Sequence, residues 1–168
     1  MSMQTDVKAG HLNNSGFVVL GRNRLKAVST VGSATAGTLD IFDTITAPVA
    51  ATYARSGTTI TVTKVAHGLA TGDVIGIAFA TASGSSGTNG NYVITVASSS
   101  TFTVTDINSG TIAALTVAAY ASLWVASYDV GATDVFGNFA LIPGEGVLVK
   151  NGIYLNMSNI TSANVYYG

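Results

Sequence analysis

The sequence predicts an all-β protein, with a β-sandwich or barrel-like core that carries an inserted small antiparallel β module. Three observations carry this reading. Val, Ile and Thr supply 52 of the 168 residues, against 22 for Leu, Met, Glu, Gln, Lys and Arg together; side chains branched at Cβ sit better on a pleated surface than against a helical turn. Apolar residues recur at every second position in most runs. Clusters of Gly, Asn, Ser and Pro punctuate those runs at hairpin spacing. A chain of this length has room for one core, or one core and a small appended module, at roughly 100–200 residues per domain.

Residues 1–16 are polar and mixed, with Asn13, Asn14 and Gly16 and no period to bury, and read as an arm. From Phe17, FVVLG reads as a buried strand. RNRLKAV then alternates so that Arg22, Arg24 and Lys26 share one strand face, and the two runs suggest a strand pair. After GSATAG, the run TLDIFDTITA puts Leu39, Ile41 and Asp43 on one face and Asp40, Phe42 and Thr44 on the other; Pro48 ends it.

From about Ala54 to Ile112 the runs TTITVT, VIGIAFA, NYVITVA and TFTVTD outline a four-stranded meander, joined by a turn at AHGLATGD and a mobile tip at SGSSGTNG, residues 83–90. Ile60 with Val62, Val93 with Thr95, and Phe102 with Val104 line single faces. Small residues flank the stretch on both sides, IAALTVAAYAS among them. That is how an insertion into a surface loop reads, because lengthening a loop adds closure entropy only slowly. The expected division is a core in two parts, 1–53 and 113–168, around a module at 54–112.

Beyond the joint, LWVASYDV leads through a turn at DVGATDVFGN to FALIPGEGVLVKNGIYLNMSNITSANVYYG. Pro143, Gly144 and Gly146 are placed to close a tight reversal between NFALI and VLVKN. Asn151-Gly152 is the pair favoured in a two-residue hairpin turn. The C-terminal stretch therefore reads as a meander ending in NVYY.

Seven Lys or Arg against eight Asp or Glu leave a net charge of −1, with no field of either sign to concentrate nucleic acid or anionic lipid. No nucleic-acid partner is expected. The N-terminus lacks the apolar run of a secretory signal, and no apolar run reaches the roughly 18–20 residues that span a bilayer, so a soluble chain with no membrane partner is expected. There is no Cys, hence no disulfide framework or thiolate metal site. So little charge gives copies of the chain little mutual repulsion, which points to a homo-oligomer.

Groups able to do chemistry are sparse. The two histidines are His11, in the arm, and His67, at a turn, and neither adjoins a nucleophile motif; His67 reads as a turn-bonding imidazole. SGSSGTNG lacks the Lys-Ser or Lys-Thr of a phosphate loop and leads into a strand. Asp129, Asp134 and Glu145 lie near turns, where carboxylates more often form turns than a glycosidase pair. DVGATD can offer calcium two carboxylates, Asp129 and Asp134, too few for an oxygen cage of six or more ligands, so no metal or cofactor is expected. Arg22, Arg24 and Lys26 form the one local basic stripe, which can meet an acidic partner or protect a sheet edge. Tyr154, Tyr166 and Tyr167 can anchor an interface or finish the core. These six are the candidate partner contacts.

The pattern HGLATGDVIGIAF, GTNGNYVITV and STFTVT resembles a β module that recurs in structural proteins of tailed bacteriophages. The match is carried by His67, Gly68, Leu69, Gly72, Asp73, Gly90, Tyr92, Thr101, Phe102 and Thr103. GTLDIFDT, LIPGEGVLVKNGIYLNMS and NVYYG are similar to small virion proteins of marine tailed phages such as those of cyanobacteria. The resemblance implies a non-enzymatic virion component, either a capsid decoration or cement protein or a tail or fibre-attachment subunit. Its partners would be the phage capsid protein or other virion proteins, a trimer being the favoured oligomer. Edge strands and the arm would meet the shell, and the module would project outward. From another class comes a carbohydrate-binding or glycan-degrading tail protein; against it, Trp124, the single tryptophan, lies in the apolar run SLWVASY and reads as core packing.

Overall fold

The alternating runs become strands throughout the computed structural model, which describes residues 7–80, 85–132 and 137–168. All regular structure among them is β, and every strand pair with a described register is antiparallel. The chain divides into two compact units. Pro48–Val125 is an inserted unit, and the segments on either side of it together make a core unit.

Two sheets build the core unit and make it sandwich-like. In the first, β1 (Lys8–Leu12) pairs β14 (Ile160–Tyr167), which pairs β3 (Asn23–Gly32); β11 (Asn138–Leu141) and β12 (Val147–Val149) both run along the other side of β3. In the second, the order is β10 (Leu123–Val130, of which Ala126–Val130 lie in this unit), β4 (Gly37–Asp43), β13 (Gly152–Ser158) and β2 (Gly16–Leu20). Leu25, Val28, Leu39, Ile41, Ile153, Leu155 and Val165, drawn from both sheets, are fully buried. Each Leu, Ile or Val taken out of water stabilises the fold by about 1.5–3 kcal/mol.

Several sequence expectations are corrected here, because side-chain alternation reports which face is buried and is silent on which strand is the neighbour. FVVLG and RNRLKAV do not pair: β2 lies beside β13, and β3 belongs to the other sheet. Part of the arm is a strand, since Lys8–Leu12 needs only its backbone to pair with Ala163–Tyr167. The C-terminal stretch is not a meander, because β12, β13 and β14 alternate between the two sheets. Pro143–Gly146 does not reverse the chain either. Leu141 stands opposite Ala27 and Val147 opposite Leu25, so β11 and β12 run in one direction along β3 and the Gly residues carry an outward loop between them. Gly144 and Gly146 both have positive φ, and a Cβ on Gly146 would stand 2.3 Å from the Leu25 carbonyl oxygen. Asn151-Gly152 is a corner between sheets, held by the Asp43 carboxylate, which accepts from the backbone N–H of Lys150 (2.9 Å), Asn151 (2.7 Å) and Gly152 (3.2 Å).

The inserted unit is one sheet with the order β5 (Val49–Thr63), β9 (Thr101–Ala121), β6 (Val74–Phe79), β7 (Gly90–Val93), and with β8 (Thr95–Ser98) also beside β9. The expected meander is corrected: the first strand pairs with the last. The boundaries at 54 and 112 fall inside strands, since β5 and β9 pair from Val49 opposite Tyr120 to Thr63 opposite Thr101. IAALTVAAYAS, read as a joint, is the end of β9. The unit has its own core of Tyr53, Ile60, Val62, Ile77, Phe79, Ile94, Phe102 and Tyr120. Edge-to-face ring contacts, Tyr53–Phe79 at 4.8 Å and Phe102–Tyr120 at 5.6 Å, add to the area it buries.

Candidate functional site

The most constrained polar site is a buried knot in the inserted unit. Ala51, Tyr53 and Arg55 occupy successive inward positions of β5, so the period that buries two apolar side chains also buries a guanidinium. Between Gly57 opposite Gly110 and Thr59 opposite Thr105, β9 bulges out over residues 106–109. The bulge turns Asp106 inward to 3.3 Å from Arg55, with neither side chain exposed. The guanidinium also donates to the carbonyls of Gly57 (3.0 Å), Ser85 (3.0 Å), Ser86 (2.7 Å) and Asn108. An Arg has five N–H donors in a fixed fork, and here they engage β5, the bulge of β9 and the segment that holds Ser85 and Ser86. Asp106 accepts from the Thr88 N–H (2.9 Å) and the Asn108 N–H (3.2 Å). Burial works against its charge, but these hydrogen bonds and Arg55 together hold the carboxyl below the usual carboxylate range. Tyr92 donates to the Thr88 carbonyl, and burial, with the Asp106 charge second, pushes its hydroxyl up to about 12.

The tip expected at SGSSGTNG joins β6 to β7, and its described residues are tied into the knot. Ser85 and Ser86 are held by Arg55, and Thr88 by Asp106 and Asn108; Asn89 Oδ1 accepts from the Phe79 N–H at 2.8 Å. Ser83 and Gly84 lie outside the described residues. On the outer side of the bulge Ile107 is 88% exposed, a large apolar side chain displayed on a fixed backbone. Arg55 and Asp106 were not among the sequence candidates. The available signal was an Arg in phase with Ala51 and Tyr53.

The residues that carry the resemblance build a turn. Gly68 and Gly72 both have positive φ, and Asp73 Oδ2 accepts from the Ala70 N–H at 2.8 Å. His67 Nδ1 accepts from the Leu69 N–H (3.1 Å) and its Nε2–H donates to the Ser98 carbonyl (2.9 Å), while its ring meets Phe102 edge-on at 5.4 Å. His11 is likewise engaged, with Nδ1 donating to Asn164 Oδ1 at 2.8 Å.

The six candidate contacts do not form one surface. Arg22 lies in the turn before β3, not on the strand. Arg24 and Lys26 are half-buried and turn to the outward loop, Arg24 4.0 Å from the Glu145 carboxylate and Lys26 Nζ donating to the Glu145 carbonyl at 2.8 Å. Tyr154 packs edge-on against Phe17 at 4.9 Å in the second sheet. Tyr166 and Tyr167 end β14 in the first sheet, Tyr166 meeting Phe139 at 5.9 Å. All three tyrosines are half-buried.

Asp40 is a buried carboxyl in the core unit. It accepts from Ser127 Oγ (2.7 Å) and Asn156 Nδ2 (3.3 Å), yet burial, helped by the Asp129 charge, pushes it up. Asp129 is exposed, and Asp134 lies outside the described residues, as does part of the DVGATD loop. No group of three or more His, Asp or Glu side chains comes together among the described residues. Trp124 is half-buried, its backbone N–H and carbonyl both bonded to the Asn91 amide.

The chain matches no protein-family model, no curated protein and no solved structure.

Proposed function

We propose that the chain is a non-enzymatic structural protein of a tailed-phage virion, acting as a homo-oligomeric decoration or cement protein of the capsid. Its mechanism in this reading is binding: contacts made only with the assembled shell stabilise the shell by linkage. The observation that carries the reading is Ile107, which lies on the inserted unit and not on the arm or edge strands first expected to meet the shell, and is held out in solvent by a bulge that Arg55 and Asp106 pin from beneath. A binding surface gains affinity when its anchor is fixed before the partner arrives, because less ordering is left to the encounter. Two further features support it. Both histidines are committed to structural hydrogen bonds, and a net charge of −1 suits a protein packed in many copies.

Imaging of intact particles tests the reading. Density for this chain at regular positions on the head supports it. Density on the tail moves the chain to a tail or fibre-attachment role, and absence from the particle rejects both.

A further inference from the structure

The free edge of the first sheet carries a self-complementary strand. β11 pairs β3 on one side, and no described strand pairs its other side. The Ile142 N–H donates to the Lys26 carbonyl at 2.9 Å, which fixes the phase of the strand. Ile142, Ala140 and Asn138 therefore point their backbone groups at β3, while Phe139 and Leu141 point theirs away from it, because the hydrogen-bonding direction alternates along an antiparallel ladder. The side chains of these same two residues are 62% and 69% exposed.

Natural sheet edges are normally blunted by charge, by Pro or by a bulge. NFAL holds no charge, Pro or bulge, and its protection is its shortness, four residues. Pro143 follows at the next outward-pointing position after Leu141, where it has no N–H to give, and the chain leaves in the outward loop. The usable edge is thus a short window centred on Ala140.

That window has twofold symmetry in its apolar pattern and in its hydrogen-bonding phase. If a second copy lies antiparallel with Ala140 opposite Ala140, Phe139 of each copy falls opposite Leu141 of the other. Those are the residues whose N–H and C=O groups point away from β3, so each pair exchanges two backbone hydrogen bonds, and both large side chains stand on one face of the joined sheet. A closed twofold interface needs such a match of a patch with itself. NFAL carries no charge to oppose a copy, and the Phe139 ring is steadied by Tyr166 at 5.9 Å.

We propose that two copies of this chain pair through β11, Phe139 against Leu141 about Ala140, joining their first sheets into one continuous sheet. The pairing rests on the edge strand alone and holds whether or not the chain belongs to a virion.

Sedimentation equilibrium of the full chain over a range of concentrations tests it. The account expects a reversible monomer–dimer equilibrium. Leu141→Lys should weaken it at least tenfold by adding charge to the face. Leu141→Pro should do the same by deleting an outward N–H that β3 does not use. Thermal unfolding of both variants shows whether the fold is retained, and Val65→Lys, an exposed apolar position on the other unit, should leave the dimer intact. A wild-type chain that stays monomeric, a trimer, or a dimer that both Leu141 variants leave unchanged would overturn the proposal.

Discussion

Arg55 and Asp106 meet at 3.3 Å with both side chains fully buried, on paired strands whose register breaks on either side of them. The bulge that brings Asp106 inward is the feature that turns Ile107 outward, so ion pair and display are one structural event. Removing one partner leaves the other charge buried and uncompensated, which costs about 3–5 kcal/mol. Asp106→Ala should therefore lower the unfolding free energy by about that amount in urea titration. The double variant Arg55→Met, Asp106→Leu should recover only part of the loss, because it removes the orphan charge but leaves the carbonyls of Gly57, Ser85, Ser86 and Asn108 and the N–H groups of Thr88 and Asn108 without these partners.

The two units should respond to acid in opposite directions. Asp106 is held below its ordinary value, so its contribution is complete above the unfolded pKa of about 3.9 and is lost as pH falls through the lower folded value. Asp40 is raised, so its charged form opposes folding near neutrality, and protonation relieves this as pH falls through its folded pKa. Amide exchange at decreasing pH should show protection failing around Thr88 and Asn108 while β4 and β13 hold. Earlier loss around Asp40 would contradict the assignment. At the alkaline end Tyr92, raised to about 12, makes stability fall between about pH 10 and 12, and Tyr92→Phe should flatten that slope.

Excision tests the unit boundary. Joining Ala47 to Ala126 through a short Gly-Ser linker removes the inserted unit whole and should leave a core unit with a cooperative thermal transition. Deleting only 54–112 leaves Val49–Tyr53 paired with Thr116–Tyr120 as a two-stranded ribbon that has lost β6 and most of the unit's core, and should give an aggregating product. Equal behaviour of the two deletions would show that the strand ends do not belong to the inserted unit.

His67 accepts one backbone hydrogen bond, donates another and packs on Phe102. His67→Ala should destabilise the inserted unit by about 0.5–1.5 kcal/mol, the net worth of hydrogen bonds whose partners water can reach, measurable as a lower thermal midpoint. A stability within error of wild type would return the imidazole to the list of groups free for chemistry.

Much of this fold was legible in the sequence, and the boundary between legible and illegible is physical. Strand content follows from residue type at each position, so Leu39–Phe42, Ile60–Val62 and Phe102–Val104 read correctly as strands. Pairing is set by contacts between residues far apart in sequence, such as Val49 with Tyr120, for which alternation carries no code. Turn chemistry misled where a carboxylate took over a backbone's needs: Asp43 makes Asn151-Gly152 a corner, and its partners lie more than a hundred residues away. The basic stripe reads correctly for Arg24 and Lys26, which flank buried Leu25 on β3 and both turn to Glu145, and fails at Arg22 because the strand begins one residue later. The Arg55 knot was missed because a lone Arg in a Thr-rich strand reads as solvated until its bulged partner is placed.

The central claim is that this protein binds an assembled particle and stabilises it. The most direct measurement is the temperature at which particles release their genome, with the protein present, deleted, and restored by adding purified chain. Deletion should leave particles that assemble but open at lower temperature, wild-type chain should restore the temperature, and Ile107→Asp should restore it poorly while folding normally. Particles that release their genome at one temperature in all these states would contradict the account.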